Sequence, residues 1–170
     1  MTNNPPVLDA CCGGRMMWFD KEDDRAIFAD IRSKKMNLSH HPSRKGRSDY
    51  LVISPDALSD FRDMDFPDNH FHHVVFDPPH RRGISMESII GFSYGSLDKE
   101  SWKADLAAGF KECFRVLKPY GTLIFKWSEV DIPLRDVLAL TPVKPLYGHR
   151  SGKKANTHWV CFIKEEANDE

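Results

Sequence analysis

The segment Val74-Val75-Phe76-Asp77-Pro78-Pro79-His80 decides the fold of this chain. Its continuous apolar run is typical of a strand covered on both faces, as in a parallel sheet flanked by helices. Consecutive prolines donate no backbone hydrogen bond, so they cannot continue a central strand and the backbone must turn outward. Because ligands bind at the carboxyl ends of such strands, we expect Asp77–His80 to form a rigid turn beside a ligand crevice. A structural turn with a capping aspartate is the alternative.

Short apolar runs alternate with helical or loop segments along the rest of the chain. The predicted strands are Val7–Cys11, Ala26–Ile31, Leu51–Ser54, His73–Asp77, Thr122–Trp127, Pro145–His149 and His158–Lys164. Apolar side chains recur at helical spacing from Ser101 to Leu117, and a shorter helix is predicted over Pro133–Leu140. This order predicts a doubly wound α/β fold whose seven-stranded sheet is mostly parallel, with an antiparallel last strand.

Length and composition indicate one soluble globular domain. The chain has 170 residues, of which 41% are hydrophobic and 29% charged. We expect one domain over residues 1–164 and a short acidic tail over residues 165–170. The formal net charge is -1. This excludes a protein whose whole surface is basic and that binds nucleic acid through its phosphates alone.

The cysteines and the amino terminus indicate a reducing compartment. Cys11, Cys12, Cys113 and Cys161 form no C-x-x-C pair and are interpreted as reduced thiols. No secretory signal or long apolar run is apparent, so a cytoplasmic protein without membrane contact is expected.

Two features indicate a ligand of the adenosine type. The loop Asp9-Ala10-Cys11-Cys12-Gly13-Gly14-Arg15 follows the first strand, and its paired glycines allow close approach of backbone to ligand. Asp30 comes after the second strand, about 20 residues beyond the loop, where a carboxylate can bind both hydroxyls of a ribose. Taken alone, the loop is also consistent with a plain tight turn, and Asp30 with an N-cap or a solvated strand end.

In their order along the chain, these segments resemble class I S-adenosylmethionine-dependent methyltransferases that carry an Asp/Asn/Ser-Pro-Pro-aromatic motif. Members of that group methylate exocyclic amino groups of nucleobases. The matching segments are 7–14, Asp30, Asp60-Phe61 with 64–68, Asp77–His80 and 114–123. The resemblance implies that Asp60-Phe61 with 64–68 form the adenine contact. The resemblance implies a Rossmann-like fold and S-adenosyl-L-methionine as cofactor, with direct transfer of its methyl group to nitrogen.

The resemblance also assigns roles to individual residues. It implies cofactor contacts from Asp9, Ala10, Cys11, Gly13, Gly14, Arg15, Asp30, Ile31, Asp60 and Phe61. It implies a catalytic turn formed by Asp77, Pro78, Pro79 and His80. Asp77 and the Pro78 carbonyl would accept hydrogen bonds from the target amine, and His80 would pack on the base.

The chain departs from that pattern in three places. Arg15 stands where a further glycine is usual, and a positive partner for the methionine carboxylate is one interpretation of it. His80 replaces the usual Tyr, Phe or Trp. The expected helix between the second and third strands is replaced by a basic segment, 32–47, which Pro42 and Gly46 interrupt.

Basic segments indicate where a polynucleotide would lie. Residues 32–47 carry six Lys or Arg and no acid, Arg81-Arg82 follow the turn, and 149–154 join the last two strands. A phosphate-binding collar and a set of solvated loops are both consistent with this pattern. The substrate-binding candidates are Arg81, Arg82, Lys126, Trp127, His149, Arg150 and Lys153. For Lys126-Trp127, a buried Trp beside a snorkelling Lys is an equal alternative.

The leading hypothesis is N-methylation of a nucleobase amino group in RNA or DNA. Methylation of a small metabolite or protein side chain, and an idle cofactor-binding protein that acts through a partner, are the alternatives. No metal is expected, because His70-x-His72-His73 lacks partners at metal-site spacing. A homodimer is compatible with the small size.

Overall fold

Nine strands and three helices form in residues 5–39, 48–150 and 156–166, which the computed structural model describes. The strands are β1 Val7–Asp9, β2 Ala26–Asp30, β3 Lys34–Asn37, β4 Tyr50–Ile53, β5 Ala57–Leu58, β6 Phe71–Phe76, β7 Leu117–Ser128, β8 Tyr147–Arg150 and β9 Thr157–Ile163. The helices are α1 Ile89–Tyr94, α2 Trp102–Val116 and α3 Leu134–Leu138.

Seven strands form one sheet in the order β5-β2-β1-β6-β7-β9-β8. The first five of these are parallel, and β9 runs antiparallel to both β7 and β8. This confirms the Rossmann-like, mostly parallel sheet with an antiparallel last strand. The order reverses between β1 and β6, so a crevice opens beyond their carboxyl ends, where ligands bind in sheets of this kind.

The prediction for the third strand was wrong. Leu51–Ser54 was expected in the large sheet, but β4 pairs with β3 in a separate antiparallel hairpin. Tyr50 and Val52 are largely exposed, whereas a strand inside the sheet would be covered on both faces. The edge of the sheet is instead the two-residue strand β5, which is too short to show a periodicity in sequence.

The clearest predicted helix is present as α2, and α3 is shorter than predicted. α2 packs on the centre of the sheet, where the Phe110 ring lies 5.6 Å from that of Phe76 and 4.9 Å from that of Phe125. These contacts fix the carboxyl end of β6 and hence the turn that follows it. The four cysteines are free thiols.

The crossovers on the other half of the sheet are not helical in the described residues. Residues 10–25, between β1 and β2, form turns and bends. Among the helices of the described residues, none is both long and apolar enough to span a bilayer.

Candidate active site

A cavity of about 510 Å³ opens at the carboxyl ends of β1, β2, β6 and β7. Its volume falls within the roughly 300–1,000 Å³ typical of small-molecule sites. The loop after β1, the end of β2, the turn after β6 and the segment around α1 supply its walls. The lining residues are Ala10–Gly14, Met16, Met17, Asp30–Arg32, Ser59–Arg62, Asp77–His80, Met86, Ser93–Asp98, Asp105 and Lys126.

Asp9 anchors the loop after β1 from beneath. Its side chain is fully buried, accepting a 2.7 Å hydrogen bond from Trp18 Nε1 and a 3.2 Å one from the Cys11 amide. Burial raises the pKa of Asp9 to about 7, although both hydrogen bonds oppose the rise. Asp9 does not line the cavity, so it supports the loop rather than meeting a ligand.

Gly13 needs the conformational freedom of glycine. Its φ is +49°, and a Cβ there would lie 3.3 Å from the Ser93 carbonyl oxygen. The Gly13 amide donates a 3.0 Å hydrogen bond to Asp30 Oδ2. The backbone of this loop therefore forms a cradle open to the cavity.

Asp30 is held by Arg32 from the same strand end. The Arg32 amide and Nε donate to Oδ1 at 2.9 and 2.8 Å, and Nη2 donates to Oδ2 at 2.9 Å. With the Gly13 amide, four donors reach this carboxylate, which offers about four lone-pair positions. A ribose hydroxyl can bind Asp30 only after one of these donors has moved.

The structure contradicts the interpretation of Arg15 as a partner for a cofactor carboxylate. Its guanidinium donates to Asp56 Oδ1 at 2.7 Å, to the Ser54 carbonyl at 2.9 Å and to the Lys21 carbonyl. It also lies 3.9 Å from the centre of the Phe28 ring. All of these contacts lie outside the cavity lining, so Arg15 ties the loop to β2 and to the segment before β5.

The predicted adenine contact is only partly at the cavity. Ile31, which is 56% exposed, and Phe61 give apolar lining near Asp30. Asp60 also lines it, but its carboxylate pairs with Arg62 at 2.6 Å. Residues 64–68 lie elsewhere, because Met64 is buried in the core and Asp68 pairs with Arg115.

The turn after β6 brings three ionisable side chains together. Lys126 Nζ lies 2.6 Å from Asp77 Oδ2, and His80 Nε2 lies 2.9 Å from Asp77 Oδ1. Asp77 Oδ1 and His80 Nδ1 are both buried atoms without a hydrogen-bond partner in the described part of the chain. The His80 ring stands at 84° to the Trp127 ring, with 5.0 Å between their centres. Stacking of His80 on a base stays a prediction.

The remaining substrate candidates lie mostly away from the cavity. Trp127 is fully buried and donates to the Ile132 carbonyl at 2.9 Å, so it belongs to the core, contrary to the prediction. Arg81 and Arg82 follow the turn without lining the cavity, and the Arg82 guanidinium lies 5.8 Å from the centre of the Trp102 ring. His149 is an exposed residue of β8 and likewise does not line it.

Parts of the predicted collar lie outside the described residues. These parts are residues 40–47, Lys153 with its neighbours, and the side chain of Arg150. Among the described residues of the three basic segments, Arg32 lines the cavity.

Sequence reasoning missed the segment that covers one side of the cavity. Met86, Tyr94 and the residues after α1 contribute to the lining, and a Cβ on Gly95 would lie 2.8 Å from Pro79 Cγ. A six-residue helix is shorter than the window in which periodicity can be recognised. The available signal was Ser88, whose side chain accepts a 3.0 Å hydrogen bond from the Gly91 amide as an N-cap.

No group of three or more His, Cys, Asp or Glu side chains in the described ranges is arranged to hold a metal ion. Asp30, which ends β2, and Asp60 and Asp77, which follow β5 and β6, are each paired with a basic side chain instead.

No protein-family model matches the sequence, and no curated protein matches it. Solved structures share its fold. A protein of Pyrococcus horikoshii is 17% identical with a TM-score of 0.61, and the match covers 97% of this chain and 84% of that one.

Two further solved structures are methyltransferases. One is a 1,6-didemethyltoxoflavin-N1-methyltransferase of Burkholderia thailandensis with 1,6-didemethyltoxoflavin and S-adenosylhomocysteine bound. It is 13% identical with a TM-score of 0.53, and the match covers 96% of this chain and 72% of that one. An S-adenosylmethionine-dependent methyltransferase of Methanosarcina mazei is 12% identical with a TM-score of 0.52, and the match covers 97% of this chain and 94% of that one. The chain therefore has the class I fold that these methyltransferases share.

Proposed function

We propose that this protein is an S-adenosylmethionine-dependent methyltransferase that acts on an exocyclic amino group of a nucleobase in RNA or DNA. The observation that carries the proposal is the meeting of three features at one cavity. They are the Gly13 cradle, the acid Asp30 and the acceptor-rich turn at Asp77. Fold alone does not determine function, so the argument depends on this site.

The residues present fit the cofactor with one rearrangement. The Gly13-Gly14 backbone allows close approach, Asp30 is an acid at the end of β2, and Ile31 and Phe61 offer apolar surface for an adenine ring. Arg32 has to release at least one hydrogen bond before Asp30 can bind ribose hydroxyls. Bound S-adenosylmethionine supplies a methyl group on a sulfonium sulfur, and the carbon–sulfur electron pair stays on sulfur as the methyl is transferred.

The turn after β6 is suited to an amine as methyl acceptor. Pro78 and Pro79 have no N–H, so the turn presents acceptors without competing backbone donors. Asp77 Oδ1 lacks a hydrogen-bond partner in the described residues but is buried beneath His80, whose Nε2 lies 2.9 Å away, so an amine N–H reaches it when the His80 ring turns aside. That contact orients the nitrogen lone pair and stabilises the positive charge that develops on nitrogen. The nitrogen forms one new bond to carbon and loses one proton, for which Oδ1 is the acceptor.

A polynucleotide is favoured by the two arginines after the turn. Arg81 and Arg82 form no ion pair with a described carboxylate, whereas Arg32, Arg62 and Arg115 do. Although Nε of Arg81 is buried, guanidinium groups without an ion-pair partner next to the site are suited to phosphate contacts that position a nucleic acid without reading its sequence. His149, Arg150 and Lys153 are further proposed contacts of the same kind.

One observation favours a second candidate, methylation of a small metabolite. The Burkholderia neighbour is an N1-methyltransferase solved with 1,6-didemethyltoxoflavin bound. The cavity mouth of this chain also includes Met16 and Tyr94, which are 67% and 52% exposed and offer apolar surface to a planar molecule.

Transfer of radiolabelled methyl from S-adenosylmethionine distinguishes these candidates. Purified protein is incubated separately with total RNA, single-stranded DNA, free nucleosides, protein and a metabolite extract, and the products are identified by mass spectrometry. We expect label in an N-methylated nucleoside after digestion of RNA or DNA. Label only in the metabolite extract would favour the second candidate.

The variant Asp77→Ala tests whether the site does the chemistry. We expect this variant to bind S-adenosylhomocysteine as tightly as the wild type and to keep only a small, measurable residual rate of methyl transfer. Unchanged methyl transfer by Asp77→Ala would contradict the proposed site, and no transfer by the wild type to any pool would contradict the enzyme.

A further inference from the structure

Lys126 lies at the end of β7 with its ammonium directed at the turn after β6. In the sheet it is the cross-strand neighbour of Trp159, and Nζ lies 5.7 Å from the centre of that ring. Its side chain is 24% exposed and lines the cavity. Nζ donates a 2.6 Å hydrogen bond to Asp77 Oδ2, slightly shorter than the roughly 2.7–2.9 Å usual for a charge-assisted N–H···O bond.

The two oxygens of Asp77 are therefore in different states. Oδ2 accepts the hydrogen bond from Lys126, while Oδ1 is buried and has no hydrogen-bond partner in the described residues. His80 Nε2 lies 2.9 Å from Oδ1 without forming a hydrogen bond to it. A carboxylate rotates readily about its last side-chain bond, because terminal torsions of this type are broad and roughly two-fold. A fixed donor on one oxygen removes that freedom.

We propose that Lys126 is a positioning residue that holds Oδ2 of Asp77, so that Oδ1 faces His80 and, once that ring turns aside, the target amine. This inference rests on the proposed function. The positive charge of Lys126 opposes the positive charge that develops on the target nitrogen, so its benefit comes from orientation and not from attraction. A direct contact with substrate is disfavoured, because the short bond to Asp77 directs Nζ to the protein's own carboxylate.

Orientation of this kind has a large effect on rate and a small effect on affinity. Misplacement of a reacting group by about 1 Å can reduce the rate about a hundredfold. Loss of Lys126 therefore lowers kcat, whereas S-adenosylhomocysteine affinity and the KM for the acceptor change little.

A double-mutant cycle measures whether Lys126 acts through Asp77. Single-turnover methyl transfer to the acceptor identified for the wild type is measured for Lys126→Met, Asp77→Ala and the double variant. We expect Lys126→Met to lower the rate by about tenfold to a hundredfold. In the Asp77→Ala background the same change should have little further effect, because the partner is already absent. Lys126→Arg, which keeps a donor and a charge, should retain more activity than Lys126→Met.

Lys111→Met is the matched control, since Lys111 is an exposed residue of α2 and does not line the cavity. Thermal unfolding and S-adenosylhomocysteine binding show that each variant is folded, and Lys126→Gln replaces Lys126→Met if the latter is unfolded.

Equal rate losses in both Asp77 backgrounds, or a raised acceptor KM with unchanged kcat, would overturn the inference. An active wild type with an unaffected Lys126→Met overturns this inference alone. A wild type that transfers no methyl overturns the proposed function as well.

Discussion

Arg32 connects Asp30 at the end of β2 to Phe92 in α1. Nη1 donates a 2.9 Å hydrogen bond to the Phe92 carbonyl, while Nε and Nη2 donate to Asp30. The side chain of Arg32 is 13% exposed and that of Asp30 3% exposed. One guanidinium thus joins the acid proposed to bind ribose to the segment that covers the cavity.

Arg32→Ala should lower the stability of the protein without cofactor. Removing one partner of a buried pair costs about 3–5 kcal/mol, and Asp30 keeps two backbone donors, so we expect a loss near the lower end. For a chain of this size, about 3 kcal/mol corresponds to roughly 6–12 °C in Tm. Thermal unfolding measures the change. The control Arg135→Ala, at a side chain that is 85% exposed, should change the free energy of unfolding by less than about 0.5 kcal/mol.

The variant Arg32→Ala also tests whether the hydrogen bonds from Arg32 to Asp30 weaken cofactor binding. If ribose hydroxyls displace Arg32, S-adenosylhomocysteine should bind Arg32→Ala at least as tightly as the wild type, as measured by isothermal titration calorimetry. Affinity more than about tenfold weaker in the variant, equivalent to about 1.4 kcal/mol, would indicate that Arg32 contacts the cofactor directly.

The free energy of unfolding should fall as pH rises, because the buried Asp9 loses its proton. Its pKa is about 7 in the folded protein, against an ordinary value of 3.8, so the folded state binds more protons than the unfolded state between these values. Stability therefore falls between about pH 4 and 7, by up to about 4 kcal/mol from this group. Urea unfolding at pH 5 and pH 8 should show a smaller fall for Asp9→Asn than for the wild type. The exposed-site variant Asp136→Asn serves as control, and equal falls in Asp9→Asn and wild type would contradict the assignment.

Gly13→Ala and Gly14→Ala form a matched pair. Gly13 has φ +49° and close contact with the Ser93 carbonyl, whereas a Cβ on Gly14 meets nothing nearer than 3.8 Å. A left-handed backbone costs an alanine about 1–2 kcal/mol, so we expect Gly13→Ala to lose about that much and Gly14→Ala to lose little. Chemical denaturation gives both values. A larger loss for Gly14→Ala would show that the cradle is not set by Gly13.

Trp127→Phe should affect stability and leave substrate affinity unchanged. The change leaves the buried Ile132 carbonyl without its donor and reduces the volume of a fully buried side chain. We expect a loss of about 2–4 kcal/mol in the free energy of unfolding, measured with urea. A raised acceptor KM with unchanged stability would instead indicate that Trp127 contacts the substrate.

The general course of the chain was predictable because it depends on local properties. Apolar runs predicted β1, β2, β6, β7 and β9, and helical spacing predicted α2. The half-exposed hairpin β3–β4, the two-residue β5 and the six-residue α1 were not assigned correctly, because each is too short or too exposed for its pattern to show where it pairs.

The sequence by itself determined the turn at Asp77–His80, because prolines lack the N–H that a continuing strand requires. Tertiary structure alone decided which side chains meet there. At this turn, Lys126 binds Asp77, which is 49 positions away in the sequence. Elsewhere at this edge of the sheet, tertiary structure pairs Arg15 with Asp56 instead of directing it to the cavity. It also pairs Arg32 with Asp30, whose hydrogen-bonding positions are then occupied. Hydrogen-bond partners of this kind are selected by distance and direction in the folded sheet, and those quantities are set by strand order and register.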